Sequence, residues 1–197
     1  MTELQGHPIK GIIYDLDGTL ASSTLNFKAM REHVGCPLGS DLLNFIEAME
    51  DKATKEQALQ MIVDNEWQDA LTATALPGAQ ELISWCNQKN IPQAIVTRNN
   101  EQAAKRKVQQ CKLDIDWVIS REHFPPKPDP TSLLHIASTW QLEPSSLIYV
   151  GDFKYDIQGA HNARMKSVLV NAKQPNDFAH TSDFEYKDIN TFLNHLK

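Results

Sequence analysis

The chain has 197 residues, which against roughly 150 for an average domain predicts one domain, or one core carrying a smaller insertion. With 41% hydrophobic and 22% charged residues and only 8 Gly and 10 Pro, it can bury a sizeable core, and composition excludes fibrous or disordered classes. Nineteen Lys+Arg against 25 Asp+Glu leave a net charge of −6, without the basic footprint of a general nucleic-acid binder.

No apolar run approaches the roughly 20 residues of a membrane span, and the opening residues do not read as a signal peptide. Cys36, Cys86 and Cys111 are odd in number, widely spaced and without a CxxC pair. They predict neither a disulfide framework nor a structural zinc site, and reduced thiols fit a cytoplasmic protein.

In chain order, the apolar run Ile9 to Tyr14 predicts a first buried strand. It ends in Asp15-Leu16-Asp17-Gly18-Thr19, two carboxylates two residues apart at a strand end, the edge where open parallel sheets carry their sites. Alternation points both acids to one side, and two like charges held close call for Mg²⁺, general acid/base work, or both. About 80 residues then separate this run from the next strand, far more than one crossover helix needs. Within them, Phe27, Met30 and Val34 share a helical face before Gly35, and Leu42, Phe45, Ile46 and Met49 share another. Leu59, Ile62, Val63, Trp67, Ala70 and Leu71 form a third face behind a capping box of Thr54 and Gln57. Residues 21–76 therefore read as a small helical domain inserted into a core made of 1–20 and 77–197.

Beyond the insertion, strands are predicted at Gln93 to Thr97, Asp116 to Ser120, Leu147 to Val150 and Ser167 to Val170. Helical faces alternate with them: Ala79, Leu82, Ile83 and Cys86; Ala104, Val108 and Cys111; Leu133, Ile136, Ala137 and Trp140. Asn99-Asn100 and Asp129-Pro130 supply helix starts. Such alternation predicts an α/β fold, a Rossmann-like parallel sheet flanked by helices, with the helical insertion after the first strand. The histidines show no HxH or HExxH spacing, and Trp85 and Trp140 fall on core faces, so none is given chemistry.

DLDGT, then Ile95-Val96-Thr97-Arg98-Asn99, then Pro125-Pro126-Lys127-Pro128-Asp129-Pro130, then Gly151-Asp152 with Asp156, stand in order along the chain. In these four motifs, and across nearly its whole length, the chain resembles the haloacid dehalogenase-like hydrolases, at those members that carry a helical cap and look like phosphoglycolate phosphatase. That resemblance implies a Mg²⁺-dependent phosphatase acting on a small phosphorylated metabolite. Asp15 would be the nucleophile that becomes an aspartyl-phosphate, and Asp17 the general acid/base. Asp15, Asp152 and the backbone carbonyl of Asp17 would hold Mg²⁺, with Asp156 on its water shell or orienting Lys127. Thr97, Lys127 and backbone N–H groups around Gly18 would bind the phosphoryl oxygens. Arg98 and Asn99 would face the leaving group, though Arg98 is equally readable as a surface charge.

Lys28 and Arg31, three apart on the first insertion helix, either reach a second anionic group or form a solvated face. Phe153, after the last motif's Asp, is a departure from the small or hydroxyl residue frequent there. Implied alternatives are a phosphomutase of the β-phosphoglucomutase kind and, from another class, a catalytically silent binding protein on the same fold. Expected partners are the metabolite alone, with no nucleic acid and no membrane, in a monomer or homodimer.

Overall fold

A computed structural model describes residues 2–173 and 176–196. The chain opens with a hairpin of β1 (Thr2–Leu4) and β2 (His7–Ile9), then enters the sheet at β3 (Gly11–Tyr14). Three helices follow: α1 (Phe27–Val34), α2 (Leu42–Glu47) and α3 (Lys52–Thr72). The alternating part comprises α4 (Ala79–Gln88), β4 (Gln93–Val96), α5 (Glu101–Gln110), β5 (Val118–Ile119), α6 (Thr131–Trp140), β6 (Leu147–Gly151), α7 (Lys154–Asn162) and β7 (Lys166–Leu169). It closes with β8 (Phe184–Glu185) and α8 (Ile189–Leu193).

Six strands make one sheet in the order β5-β4-β3-β6-β7-β8, every pairing parallel. Alternation along β3 sends Ile12 and Tyr14 into one apolar layer and Ile13 into the other. The first layer packs Leu82, Ile83 and Cys86 of α4, Ala104 and Val108 of α5, and Ile189 and Phe192 of α8. The second packs Leu133, Ile136 and Ala137 of α6 with Ala160 of α7. Ile12, Ile13 and Ile148 have no exposed surface, and burying each contributes about 1.5–3 kcal/mol. This is the predicted sheet between two helical layers. From β3 the chain proceeds outward to β4 and β5, then returns to β6 on the other side of β3, so the order reverses between β3 and β6. A crevice outside the carboxyl ends of the strands is expected at that reversal.

Several local expectations are corrected. Ile9 does not belong to the first sheet strand: it pairs back to Thr2 in the hairpin, while Gly11 pairs with Leu147. The hairpin turns at Gln5-Gly6, where both residues have positive φ. The strand expected over Asp116 to Ser120 shortens to two residues at the sheet's edge. Asp51, not Thr54, caps α3, its carboxylate accepting from the Thr54 N–H at 2.8 Å. Asn100 caps α5 by accepting from the Ala103 N–H at 2.9 Å. Asp129 accepts from the Thr131 N–H at 2.9 Å, with α6 beginning one residue later than the proline suggests.

The largest correction concerns α3. Trp67 and Leu71, expected inside, are 39% and 37% exposed, whereas Glu66 and Asp69 are buried with Ile62 and Ala70. Its longest contact is with core helix α5, and the face turned that way carries acids that meet bases. Met30, Leu42, Ile46, Ala58 and Ile62 build a separate apolar cluster among the three helices. The two chain crossings into this segment are hydrogen bonded to each other: Ser22 N–H to the Thr74 carbonyl at 2.8 Å, Leu76 N–H to the Leu20 carbonyl at 2.9 Å.

Candidate active site

Asp15 follows β3 directly, and its N–H donates to the Val150 carbonyl at 2.8 Å, continuing the β3–β6 ladder by one residue. That bond sets Asp15 beside the end of β6, where Gly151 and Asp152 leave the sheet. Gly18 has φ +78°, and a Cβ there would collide with the Asp152 carboxylate, so the acidic loop lies directly on that acid. A Cβ on Gly151 would collide with Asp156 in the same way. Both glycines exist to let carboxylates approach backbone.

Carboxylate oxygens of Asp15, Asp152 and Asp156 lie within 4.8 Å of one another. Lys127 is buried among them, its Nζ donating to Asp15 Oδ1 at 2.5 Å and to Asp156 Oδ1 at 2.7 Å. Asp156 Oδ2 accepts from the Phe153 N–H at 3.0 Å, so this acid both caps the start of α7 and aims the lysine. One ammonium does not balance three acids. Burial first, then the neighbouring carboxylates, push Asp15 up to about 7 and Asp152 up to about 8. For Lys127, burial pulls downward, but Asp15 and Asp156 outweigh it and hold the ammonium above its ordinary value. Hard oxygen donors in excess of local positive charge fit a divalent cation, which would relieve the repulsion.

Thr97 follows β4 directly, buried, and its Oγ1 accepts from the Asn99 N–H at 3.2 Å. Asn99 Nδ2 donates to Asp17 Oδ2 at 2.6 Å. Arg98 forms a two-pronged pair with Asp41, the cap of α2, at 2.7 and 2.9 Å, and its guanidinium lies 4.8 Å from the Tyr155 ring centre. Two sequence candidates are occupied elsewhere. Lys28 pairs with Glu32 on an exposed face of α1, and Arg31 donates to the Ser40 carbonyl at 2.9 Å within the same segment. Phe153, the departure noted above, is 45% exposed and packs edge-on to Tyr155 and Phe178.

Other residues at this edge escaped the reading of the sequence. Lys107 of α5, with no exposure, donates to Asp17 Oδ1 and to Asp69 of α3. Arg121 bonds Glu66 of α3 and the Arg98 carbonyl, and Glu66 also accepts from Asn100 Nδ2 at 2.6 Å. Asn171, just past β7, donates to the carbonyls of Gly18 and Thr19 at 3.1 and 3.2 Å and so steadies the acidic loop. A signal did exist for three of these: Lys107 falls at i+3 from Ala104, and Glu66 and Asp69 fall at i+4 and i+7 from Ile62, inside stripes otherwise read as apolar. A charge inside a core stripe is a charge with a partner.

A parallel doubly wound sheet carries a carboxylate-rich cluster and a buried lysine at its switch point, a candidate cation and anion site on a Rossmann-like core. Residues 12–170 match the model of the haloacid dehalogenase-like hydrolase family, and the chain belongs to that family. A haloacid dehalogenase-like hydrolase domain-containing protein of Arabidopsis thaliana is 30% identical, over 96% of this chain and 84% of its own length. A phosphoglycolate phosphatase of Pseudomonas fluorescens is 27% identical, over 84% of this chain and 71% of its own. The crystal structure of a hydrolase from Pseudomonas syringae superposes with a TM-score of 0.80 at 22% identity, covering 94% of this chain and 97% of that one. Among the described residues, no helix is long and apolar enough to cross a membrane.

Proposed function

We propose that the chain is a Mg²⁺-dependent phosphatase that hydrolyses a small phosphorylated metabolite through an aspartyl-phosphate on Asp15. The observation that carries this reading is the seating of Asp15: a strand-end carboxylate bonded at 2.5 Å to buried Lys127, within one cluster with Asp152 and Asp156. Kinship with phosphoglycolate phosphatases supports the reaction class.

An Asp15 oxygen attacks phosphorus, the bond from phosphorus to the ester oxygen breaks, and Asp17 gives that oxygen a proton. Water then attacks phosphorus, the Asp15–phosphorus link breaks, and Asp17 takes the water's proton. Lys127 and Thr97, with N–H groups of the loop at Gly18, would hold the phosphoryl oxygens. Asp15, Asp152 and the Asp17 carbonyl would bind Mg²⁺, which when present offsets negative charge at the phosphoryl group. Asp156 keeps Lys127 aimed. Residues 21–76 would serve as the cap that shapes the pocket for the rest of the substrate. Three buried, unpaired thiols suit the reducing conditions of a cytoplasm.

The test is a screen of phosphorylated metabolites with Mg²⁺, reading free phosphate. Metal-dependent release supports the reading. A bisphosphate product without free phosphate marks a phosphomutase, and binding without turnover marks a silent relative.

A further inference from the structure

Asp17 is anchored by residues outside its own loop. Its Oδ2 is held by Asn99, and its Oδ1 by Lys107, whose side chain has no contact with solvent. The same ammonium donates to Asp69 Oδ2 on α3 at 2.5 Å. Asp69 in turn accepts from the Thr24 N–H at 2.6 Å, the Thr24 hydroxyl at 2.8 Å and the Ser23 hydroxyl at 2.9 Å, all on the chain crossing that leads into the helical segment. A fully buried ammonium is costly unless every partner is in place, and both of its acidic partners lie far from it in sequence. Each Asp17 oxygen has a second lone pair, so the two bonds fix the carboxylate while leaving it able to meet a substrate.

We propose that Lys107 is a positioning residue for the reaction: it holds the Asp17 carboxylate where it exchanges protons with leaving group and water, and through Asp69 it makes that placement depend on α3 being seated on the core. This rests on the phosphatase reading above. A lysine with a packing role alone would affect all substrates alike. One that positions the proton donor matters most where the departing oxygen needs a proton.

The full-length chain is assayed with Mg²⁺ on two monoesters, an alkyl phosphate whose alkoxide is a poor leaving group and an aryl phosphate whose phenol is strongly acidic. In Lys107→Met, kcat/KM on the alkyl ester should fall about 100-fold and on the aryl ester less than about 10-fold. The aryl reaction should also show a burst of phenol near one per enzyme before a slow steady state, because water activation needs Asp17 too. Lys107→Arg should restore part of the alkyl rate, and Asp69→Asn should show the same selectivity at about a 10-fold loss. Equal losses on both esters, or none, in Lys107→Met overturn the proposal. If that variant lacks a cooperative unfolding transition, Asp69→Asn decides on the same criterion. A wild-type chain that turns over neither ester removes the phosphatase reading and the proposal with it, whereas active wild type with parallel losses removes only the role of Lys107.

Discussion

The sheet edge and the seam between α3 and the core both keep charge away from water, and they do so in opposite ways. At the sheet edge Asp15, Asp152 and Asp156 crowd around one buried cation, Lys127, which bonds Asp15 and Asp156, and burial with mutual repulsion raises Asp15 to about 7 and Asp152 to about 8. Along the seam these acids of the helical segment each meet a base of the core: Asp69 meets Lys107, which it shares with Asp17, Glu66 meets Arg121, and Asp41 meets Arg98. There burial is outweighed for Asp69 and Asp41, whose hydrogen bonds and cationic partners hold them below the ordinary carboxylate value. A balanced set closes on itself and holds two pieces together. An unbalanced set is ready to take something up.

The strongest way to break this contrast is at the unbalanced end. Asp15→Asn should lower kcat by at least about 1,000-fold while the chain stays folded, because the amide neither attacks phosphorus nor adds the charge that a cation answers. Near-full turnover in phosphate release by the purified variant would remove the covalent route. Asp152→Ala should raise the Mg²⁺ needed for half-maximal rate about tenfold or more, and Asp156→Ala should instead weaken the hold on Lys127 and lower kcat.

Acid excess also predicts a pH dependence. Asp15 and Asp152 are raised in the folded state, so between their ordinary values near 4 and about 7–8 the native protein binds more protons than the unfolded chain. Metal-free stability should therefore fall as pH rises through that window, and Mg²⁺ should restore it by taking the protons' place. Apparent Mg²⁺ affinity should climb roughly tenfold per pH unit for each proton displaced, levelling off above about 8. Thermal unfolding with and without Mg²⁺ at pH 6 and 8.5 checks this. An equal Mg²⁺ shift at both would mean that the cluster is not burdened.

The seam should fail differently. Glu66→Met leaves Arg121, whose side chain is 13% exposed, without its acid and should cost about 2–3 kcal/mol in denaturant unfolding. Adding Arg121→Met should recover part of that loss, since removing both charges is milder than stranding one. Neither change should alter the Mg²⁺ requirement. If it does, the two regions are one electrostatic unit and the contrast collapses.

That contrast also explains what was legible in the sequence. The strands Gln93–Val96 and Leu147–Gly151 were plain because both their faces are buried, giving unbroken apolar runs. Asp15 and Asp17 stood out as paired acids at a strand end, whereas Lys127, Asp152 and Asp156, on a loop, just past β6 and within α7, were legible only through the ordered motifs that carry the family resemblance. The β1–β2 hairpin, two-residue β8 and short α8 left little periodicity to read. The seam was hidden for another reason: in α3 and α5 the docking faces substitute paired charges for apolar residues, so periodicity placed Trp67 and Leu71 inside and passed over Glu66, Asp69 and Lys107. Pairing is a property of two distant segments, and a pattern within one of them does not reveal it.

Arg98 stands where the two regions meet, and it yields the smallest predicted effect. Its pair with Asp41 is partly exposed, 22% and 16% for the two side chains, so breaking it should cost only about 1 kcal/mol. Yet Arg98 follows Thr97 at the end of β4 and stacks on Tyr155, one residue before Asp156. A guanidinium held by a carboxylate in that place can exchange it for an anionic group of a substrate, since both offer the same two-oxygen geometry. Asp41→Asn should then lower KM a few-fold for a substrate carrying a second anionic group, by removing the internal competitor. Arg98→Ala should raise that KM about tenfold, and neither should change KM for a simple aryl phosphate. If both variants shift only the unfolding midpoint, Arg98 belongs to the seam alone, and the choice of substrate lies with other residues that face the acidic loop.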